Sequence, residues 1–558
     1  MKGINTKSGP VLKALGEAET NHRAGVELAL SNPAFYPHYV KTIEIEETHI
    51  SKVFLTGDFV YKIKKPVDFG FLDFTTLAKR HHYCEQEVLL NQRFSHQVYL
   101  DVVAITLEQR GYALNGPGQP VEYAVKMRQL PREKTMLELL RREKLSDGMV
   151  NKLAKVLVRF YKKASREPKI DVMGSQMMVE GNIEEDFSQT EPFVPSILNR
   201  EKLFRMHEAV RNFLTNNSDL FQRRIETGSI CDCHGDLRLG HIYFVDGIQI
   251  IDCIEFNDRF RYSDVAADLA FLAMDLDFHG FTDVGQTLLT AYAQEAGDPE
   301  VFMLLDFYKC YRAHVRCKVE CLRQATGELS ARKARLAVER AQRYFELAYG
   351  YAASFSRQTL WIICGLSGSG KSTIASELTK RLHLPIHNSD VIRKKFFGLS
   401  PKEPKVATFG EGIYTPVATA QTYERMLLLA REELFHGNSA ILDATFSRRQ
   451  HRELFRCLAV EMGANVIFVE CLCPDAVLRV RLAERQTKSS ISDARLKHLE
   501  AQRQAFEPLD ELGEDLHLQV SAEQPLLQSL QQIFSAAYLL QGKQTRKSQS
   551  ARVRNMPG

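Results

Sequence analysis

A glycine-rich segment in the second half of the chain has the spacing of a phosphate-binding loop. Residues 365–372 read Gly-Leu-Ser-Gly-Ser-Gly-Lys-Ser, after an apolar run at 361–364 and before a helical pattern that Thr373 begins. Glycines let backbone N–H groups surround phosphate oxygens, Lys371 reaches the β- and γ-phosphates, and Ser372 holds Mg²⁺. The segment therefore predicts a site for ATP and Mg²⁺. Its predicted nucleotide-binding residues are Gly365, Leu366, Ser367, Gly368, Ser369, Gly370, Lys371, Ser372 and Thr373.

Two carboxylates follow apolar runs beyond this loop. Asp390 ends the run 384–390, with Arg393 one helical turn later, and Asp443 ends the run 440–443. In open α/β folds, ligands bind at the carboxyl ends of the strands. Asp390 is therefore a candidate general base for a substrate hydroxyl and Arg393 a candidate clamp for an acidic or phosphorylated group, although Asp390 could equally cap the next helix. Asp443 is predicted to act as a Walker-B carboxylate that orders Mg²⁺ or assists the base.

Pairs of arginines four residues apart occur on two helical patterns. Arg481 and Arg485 share one face of the pattern 474–485, where they could close as a lid over the transferred phosphoryl group. A solvated helix face is the alternative. For Arg312 and Arg316, earlier in the chain, a solvated face is the prediction and a phosphate contact is the alternative.

The first half carries a second set of carboxylates. Asp236 and Asp252 each follow a short apolar strand pattern. Two carboxylates on adjoining strand ends suit phosphoryl transfer, because one can align an acceptor hydroxyl while the other binds Mg²⁺. The neighbouring Cys231 and Cys233 alternate along a strand onto one face, so they are predicted to be core residues and not metal ligands.

A strand lysine and a helix glutamate complete this set. In kinase-like folds the lysine pairs with the ATP phosphates and with the glutamate. Lys62 fits the lysine position, with Lys64 on the same strand face as the alternative, and Glu87 fits the glutamate position, with Glu85 as the alternative. No G-x-G-x-x-G loop precedes Lys62 and no D-F-G follows Asp236, which speaks against a protein kinase.

The elements that must position these residues fall into two parts. The first part begins with a β-rich lobe at 40–130, which contains a Gly57-Asp58 hairpin turn and a helix near 77–94. Helical patterns follow at 134–227, with an interruption at 180–195, and again at 264–350. From 360 onward, strand and helix patterns alternate as in an α/β protein. The predicted domains are 1–355 and 356–542, and a basic tail at 543–558 is predicted to be disordered.

The amino-acid composition is typical of a globular protein and gives no sign of a disulfide framework, a zinc site or a membrane helix. Of the 558 residues, 44% are hydrophobic and 25% charged, which is ordinary for a globular chain. The chain has 73 Lys and Arg and 69 Asp and Glu, a net charge of +4. This charge is too small for the protein to bind polyanions through its overall charge. Eleven cysteines without a CxxC suggest neither a disulfide framework nor a zinc site, and no segment approaches the roughly 18 apolar residues of a membrane helix. We expect a cytoplasmic protein with no membrane partner.

The second half resembles the small P-loop kinases of the AAA_33 type, which are related to polynucleotide kinase, gluconate kinase and chloramphenicol phosphotransferase. The resemblance covers roughly 358–510 and rests on the segments GLSGSGKST, NSDVIRKK, ILDATFSRRQHR and RVRLAERQ. It implies an ATP:hydroxyl phosphotransferase in which Asp390 is the base and Arg481 and Arg485 belong to the lid. The resemblance does not identify the acceptor.

The first half resembles the aminoglycoside phosphotransferase family, whose catalytic loop reads H-G-D-x-x-x-x-N. Asp236 falls on the family's catalytic aspartate and Asp252 on its metal-binding aspartate, while His241 stands at the position of its metal-binding asparagine. An imidazole can bind a divalent cation but suits Mg²⁺ less well than an amide oxygen. Asp268 matches a family D-L-A element and is assigned a structural role.

Together these patterns predict a two-domain protein that resembles bacterial fusions of the two families. The expected fold is an N-terminal kinase-like α+β domain joined to a C-terminal α/β P-loop kinase domain with a parallel sheet. The expected function is ATP- and Mg²⁺-dependent phosphorylation of a hydroxyl on a small molecule. Two alternatives stay open: a nucleic-acid kinase acting on 5′-hydroxyl ends, and a regulatory ATP-binding protein whose N-terminal site is inactive because of His241.

Overall fold

The computed structural model describes residues 17–325, 329–400, 411–484 and 499–554, with side chains described from 22 to 542 within those ranges. The chain divides into two compact units. The first contains 17–199, 221–292 and 311–347, and the second contains 200–220, 293–310 and 348–554. Each unit supplies its own candidate site.

The first unit begins with two helices and six strands. They are α1 (Glu17–Leu30), β1 (Glu44–Glu47), β2 (Ser51–Leu55), β3 (Phe59–Lys64), α2 (Leu77–Ser95), β4 (Tyr99–Glu108), β5 (Gly111–Leu114) and β6 (Gln119–Arg128). The strands form one antiparallel sheet in the order β1-β2-β3-β6-β4-β5. The predicted hairpin joins β2 to β3, and Gly57 takes a φ of +100° there, a conformation that side chains with a Cβ rarely adopt.

Alternation along β3 sorts its side chains onto two faces of the sheet. Tyr61 and Ile63 belong to the hydrophobic core on one face. Val60 packs on the other face, in a core that α2 shares. Since Lys62 and Lys64 follow Val60 at a period of two, both side chains lie on the face that α2 covers.

Helices dominate the following part of the chain, with two short antiparallel ladders between them. The elements are α3 (Met136–Arg141), α4 (Asp147–Lys163), α5 (Pro168–Asp171), α6 (Gln176–Thr190), α7 (Arg200–Asn216), α8 (Ser218–Glu226), β7 (Ile230–Asp232), β8 (Ile242–Tyr243), β9 (Gln249–Ile250), β10 (Tyr262–Asp264), α9 (Val265–Phe278), α10 (Thr282–Ala296), α11 (Val301–Ala325) and α12 (Ala331–Phe355). β7 pairs with β10, and β8 pairs with β9.

The interruption predicted at 180–195 is wrong for most of its length. Helix α6 continues to Thr190, because Val179, Ile183 and Phe187 recur at helical spacing and are buried on one face. Glu180, Glu184 and Glu185 are partly exposed, whereas Asp186 is buried and pairs with Lys318. Pro192 falls in the short 3₁₀ turn that follows α6.

The second unit contains a five-stranded parallel sheet. Its elements from 359 onward are β11 (Thr359–Cys364), α13 (Lys371–Leu382), β12 (Ile386–Asn388), α14 (Ser389–Phe396), α15 (Pro416–Phe435), β13 (Ala440–Asp443), α16 (Arg449–Met462), β14 (Asn465–Leu472), α17 (Asp475–Glu484), α18 (Leu499–Gln504), β15 (His517–Ser521) and α19 (Leu526–Arg554). The sheet order is β12-β13-β11-β14-β15, and every pair is parallel. The predicted fold class, an α+β part followed by an α/β part with a parallel sheet, is therefore confirmed.

The C-terminal segment differs from its prediction. Helix α19 runs on to Arg554 and so includes most of the segment 543–558, which was expected to be disordered. Residues such as Gln, Lys and Arg have favourable helix propensities, so a polar composition does not by itself end a helix. Residues 555–558 lie outside the described residues. Within the described part of the chain, the longest apolar stretches of the helices fall short of what crossing a membrane requires.

Candidate active sites

The glycine-rich loop of the second unit connects the end of β11 to the start of α13. Gly365 and Gly370 have φ values of +128° and +96°, and a Cβ at Gly365 would lie 2.6 Å from the carbonyl oxygen of Cys471. Glycine is therefore required at both positions. Lys371 is the first residue of α13, and its Nζ donates a hydrogen bond to the carbonyl oxygen of Leu366, 2.8 Å away. The lysine thus lies across the loop whose backbone N–H groups would surround the phosphates.

Asp443 lies at the carboxyl end of β13, directly beside β11. Its side chain is buried, and it accepts a hydrogen bond from Nδ2 of Asn388 at 2.7 Å. Burial raises the pKa of Asp443, against the lowering effects of the Lys371 charge and of hydrogen bonds from Ser372 and Asn388. The Ser372 hydroxyl and the Asp443 carboxylate are hard oxygen donors within reach of each other, a combination that fits Mg²⁺.

The residue that caps α14 is Asn388, so the alternative role of Asp390 as a helix cap is wrong. Asn388 Oδ1 accepts hydrogen bonds from the backbone N–H groups of Asp390 and Val391, at 3.0 and 3.1 Å. β12 therefore ends two residues before Asp390, which lies in the first turn of α14. The signal was present in the sequence, because an Asn before a helical pattern is a typical N-cap.

Asp390 and Arg393 form an ion pair on one face of α14. Arg393 Nη1 donates to Asp390 Oδ1 at 2.7 Å, and the guanidinium lies 4.7 Å from the ring centroid of Tyr414. The Nε of Arg393 is buried without a hydrogen-bond partner among the described residues. The two predicted acceptor-side residues are thus in contact, and one donor of the arginine is unused within the described ranges.

Arg481 of α17 contacts the phosphate loop directly. Its Nη1 donates to the carbonyl oxygen of Gly368 at 3.3 Å, and its Nη2 donates to the carbonyl oxygen of Ala522 at 3.0 Å. Its guanidinium is therefore positioned at the rim of the loop. Arg485, the other predicted lid arginine, lies outside the described residues.

In the first unit, Lys62 of β3 bridges two carboxylates. Its Nζ lies 2.8 Å from Glu87 Oε1 and 2.7 Å from Asp252 Oδ1. Burial alone would lower the pKa of Lys62, but the charges of Asp252 and Glu87 raise it well above the usual value. Lys62 therefore stays charged, at the junction of the strand, helix α2 and the loop that carries Asp252.

Lys64 and Glu85 differ from Lys62 and Glu87 in position. Lys64 is fully buried and pairs with Glu87 Oε2 at 2.8 Å and with Glu255. Glu85 points away from the sheet, with a half-exposed side chain 3.5 Å from His81. Of the two lysines, Lys62 is the one that reaches Asp252, and of the two glutamates, Glu87 is the one that meets a lysine.

The loop after β7 brings Asp236 and His241 toward Asp252. His241 Nδ1 lies 3.0 Å from the main-chain oxygen of Asp236, so Nδ1 carries the proton and the lone pair of Nε2 acts as an acceptor. Nε2 is 3.5 Å from Asp252 Oδ2. One ligand atom from each of the three residues lies within 4.8 Å of the other two. Two carboxylates and a neutral imidazole are a donor set that fits a divalent cation.

Arg238 contacts two members of this cluster, Asp236 and His241, and its sequence pattern did not single it out. Its Nε and Nη2 donate to the two oxygens of Asp236 at 2.7 and 2.8 Å, and its Nη2 lies 3.0 Å from His241 Nε2. Burial would raise the pKa of Asp236, but the charge of Arg238 holds it far below its usual range. The one signal in the sequence was the position of Arg238, two residues after Asp236 in the same loop.

Buried side chains fix the backbone of this loop. Asp268 of α9 accepts hydrogen bonds from the N–H groups of His234 and Gly235, at 2.7 and 2.8 Å, which agrees with its predicted structural role. His234 Nε2 lies 3.0 Å from the carbonyl oxygen of Ile251. Cys231 and Cys233 are fully buried neighbours of the loop, as expected for core residues.

The buried His234 gives the first unit a specific pH dependence. Burial lowers its pKa to about 3. The unfolded chain protonates this ring below about pH 6.5, whereas the folded chain does not, so the free energy of unfolding falls with pH from about 6.5 toward 3, by up to about 1.4 kcal/mol per pH unit. Denaturant unfolding of the full chain between about pH 7 and pH 5 should therefore show a shallower slope for His234→Gln than for the wild type. Equal slopes would contradict a neutral buried His234.

Known proteins resemble both parts of the chain. The AAA domain family (AAA_33) matches residues 360–509. An uncharacterized protein of Mycobacterium tuberculosis is 32% identical over 466 residues, which cover 83% of this chain and 90% of the relative. A choline/ethanolamine kinase family protein from Mesorhizobium loti aligns at 13% identity and a TM-score of 0.36, over 59% of this chain and 98% of its own. A gluconokinase from Sinorhizobium meliloti aligns at 16% identity and a TM-score of 0.25, over 36% of this chain and 98% of its own.

Proposed function

Because the chain belongs to the family of this mycobacterial protein and its C-terminal part matches the AAA domain family, we propose that it is an ATP-dependent phosphotransferase with two ATP sites. Each site transfers the γ-phosphate to a hydroxyl of a small molecule. The observation that supports a site in the first unit, in addition to the phosphate loop of the second, is the position of Lys62, 2.8 Å from Glu87 and 2.7 Å from Asp252.

In the first unit, Lys62 binds the ATP phosphates while Glu87 holds its side chain in place. Asp236 aligns the acceptor hydroxyl and takes its proton. The acceptor oxygen forms a bond to the γ-phosphorus, the bond from that phosphorus to the ADP oxygen breaks, and ADP leaves with the electron pair. Burial alone would raise the pKa of Asp236, but the charge of Arg238 outweighs burial and lowers it, so the carboxylate is ionised and can align the hydroxyl by accepting its hydrogen bond.

In the second unit, the loop at 365–373 binds the phosphates, with Lys371 on the β- and γ-phosphates. Asp390 aligns the acceptor hydroxyl and Arg393 binds a charged group of the acceptor, since the pair lies in the first turn of α14 at the carboxyl edge of the sheet. Arg481 steadies the transferred phosphoryl group from the rim of the loop.

A divalent cation fits both sites. Mg²⁺ would neutralise phosphate charge there, held by Asp252 and His241 in the first unit and by Ser372 and Asp443 in the second. In the first unit the neutral His241 offers nitrogen where an amide oxygen would suit Mg²⁺ better. Replacing His241 by asparagine supplies that oxygen.

Calorimetry with Mg-ATP tests the first site. The full chain is expected to bind two Mg-ATP molecules, and Asp252→Ala is expected to remove one of the two binding events, because the cation loses its carboxylate and Lys62 loses a partner. His241→Asn should keep both events. Asp246→Asn, at an exposed turn position with a φ of +48°, is the matched control and should also keep both. Two events of unchanged affinity in Asp252→Ala would refute the site.

A further inference from the structure

The two arginines of α11 were expected to face solvent, but Arg312 is buried and Arg316 is partly buried, so that prediction is wrong. Arg312 is 5% exposed, and its guanidinium lies 5.1 Å from the ring centroid of Phe271 in α9. The side chain of Arg316 is 18% exposed and lies 5.6 Å from the ring centroid of Tyr344 in α12. The i,i+4 face of α11 is therefore turned toward α9 and α12.

Of the two arginines, Arg316 is the less well neutralised. Arg312 lies near the buried carboxylates of Asp186 and Asp268, and its charge opposes the raising effect of burial on the pKa of each. The Nε atoms of both Arg312 and Arg316 are buried and lack a hydrogen-bond partner in the described part of the chain. Arg316 pairs with the carboxylate of Glu320 at 3.8 Å, and the same carboxylate lies 3.9 Å from Arg323. A buried charge without a close partner is costly, and a guanidinium has a planar set of donors that suits a carboxylate or phosphate. The arrangement is one that an incoming anion would stabilise.

Helix α9 connects this face of α11 to the transfer site. Phe271, which contacts Arg312, follows Asp268 by three residues, and Asp268 holds the backbone of the loop that carries Asp236. Farther along α9, Asp275 accepts a hydrogen bond from the N–H of Leu239 at 3.0 Å, so it is already engaged. The arginines thus lie along the helix that supports the loop.

Electrostatic effects agree with this placement. The charge of Arg316 is among those that lower the pKa of Asp236. Burial together with the charges of Arg316, Lys65 and Arg323 lowers the pKa of His49 to about 4. His49 lies in the turn between β1 and β2, so the charges of Lys65 and of two α11 arginines act on that turn.

We propose that the acceptor of the first site carries an anionic group, a phosphate or a carboxylate, which Arg316 binds while the acceptor hydroxyl lies at Asp236. The inference rests on the proposed phosphotransferase function of this site. The proposal also assigns a function to Arg238, which pairs with Asp236 in this structure. When an anionic acceptor binds, Arg238 can pair with the acceptor instead, and the Asp236 carboxylate then becomes available to the acceptor hydroxyl. A cationic acceptor would meet the like charges of Arg238 and Arg316.

Calorimetry with inorganic phosphate tests the proposal. The full chain carries Lys371→Ala to weaken anion binding at the phosphate loop, and it is first saturated with Mg-ADP. In this background, Arg316→Gln is expected to weaken phosphate binding at least tenfold, because the bidentate donor is lost. Arg335→Gln, which removes an exposed arginine of α12, is the matched control for net charge and should stay within twofold. Acetate is titrated in parallel, and the anion whose affinity depends on Arg316 identifies the class of acceptor.

Thermal melts establish that each variant is folded. If Arg316→Gln is unfolded, Arg316→Lys takes its place, and its loss of bidentate geometry should weaken binding about threefold. Phosphate and acetate affinities that do not depend on Arg316, in a chain that binds Mg-ADP in an Asp252-dependent way, would overturn the anionic acceptor and leave the phosphotransferase function standing. Failure of Mg-ADP to bind in that way would instead overturn the proposed function.

Discussion

Replacing Lys371 by alanine is expected to lower the ATP turnover of the second site roughly 10²–10³-fold, the usual effect of removing one preorganised donor from a transition state. The lysine is the side-chain cation that the loop at 365–372 holds for the phosphates, and its Nζ already lies 2.8 Å from the backbone oxygen of Leu366 inside the loop. Release of ADP from ATP, measured in a chain that also carries Asp236→Asn, isolates this site from the first.

Lys380→Ala provides the matched control for this measurement. Lys380 is in the same helix, α13, and its side chain is largely exposed, so its removal should leave turnover within about twofold of the parent chain. Turnover that survives Lys371→Ala in a folded chain would mean that the loop does not bind the reacting phosphates.

Replacing Asp236 by asparagine is expected to lower phosphoryl transfer by the first site about 10²–10⁴-fold, the range of general-base catalysis. The KM for ATP should change little, because Asp236 acts on the acceptor and not on the nucleotide. The measurement is transfer of labelled γ-phosphate by a chain that carries Lys371→Ala, with kcat and KM determined separately.

Asp246→Asn is again the matched control, because it changes an exposed aspartate in the turn between β8 and β9. It should leave both kcat and KM unchanged. A loss in Asp236→Asn that appears wholly in the KM for ATP would assign Asp236 to nucleotide binding and contradict its role as the general base.

The residues of the second site could be predicted from the sequence because they directly follow the ends of predicted strands. The carboxyl ends of parallel strands meet at one edge of a sheet, so the loop after β11 and Asp443 at the end of β13 had to be neighbours. Asn388 was missed although it carries a recognisable cap signal, because the carboxylate two residues later has the more obvious chemistry. The contact of its side chain with Asp443 depends on tertiary packing.

The first site depends on contacts that sequence spacing cannot supply. Periodicity placed Lys62 and Lys64 on one face of a strand, but which of them reaches Asp252 depends on the approach of a loop about 190 residues away. The choice between Glu85 and Glu87 depends on the rotation of α2 about its axis. Arg238 was overlooked because an arginine two residues from a carboxylate has no distinctive signal without the loop conformation.

The arginines of α11 show where a local pattern misleads. A basic i,i+4 pair is usually solvated, so the spacing favoured a surface. Helices α9 and α12 cover that face through Phe271 and Tyr344, and the local sequence of α11 contains no information about them. The weak pairing of Arg316, whose nearest carboxylate is 3.8 Å away on Glu320, is what makes this residue a candidate anion-binding group.

The most direct test of two independent phosphotransfer sites is the transfer of labelled γ-phosphate from ATP to a pool of small metabolites by four full chains: wild type, Lys371→Ala, Asp236→Asn and the double variant. We expect each single variant to lose one set of labelled products and to keep the other, and the double variant to label nothing above background. If either single variant alone abolished all labelled products, or if the double variant kept the wild-type products, the proposal of two separate sites would be contradicted.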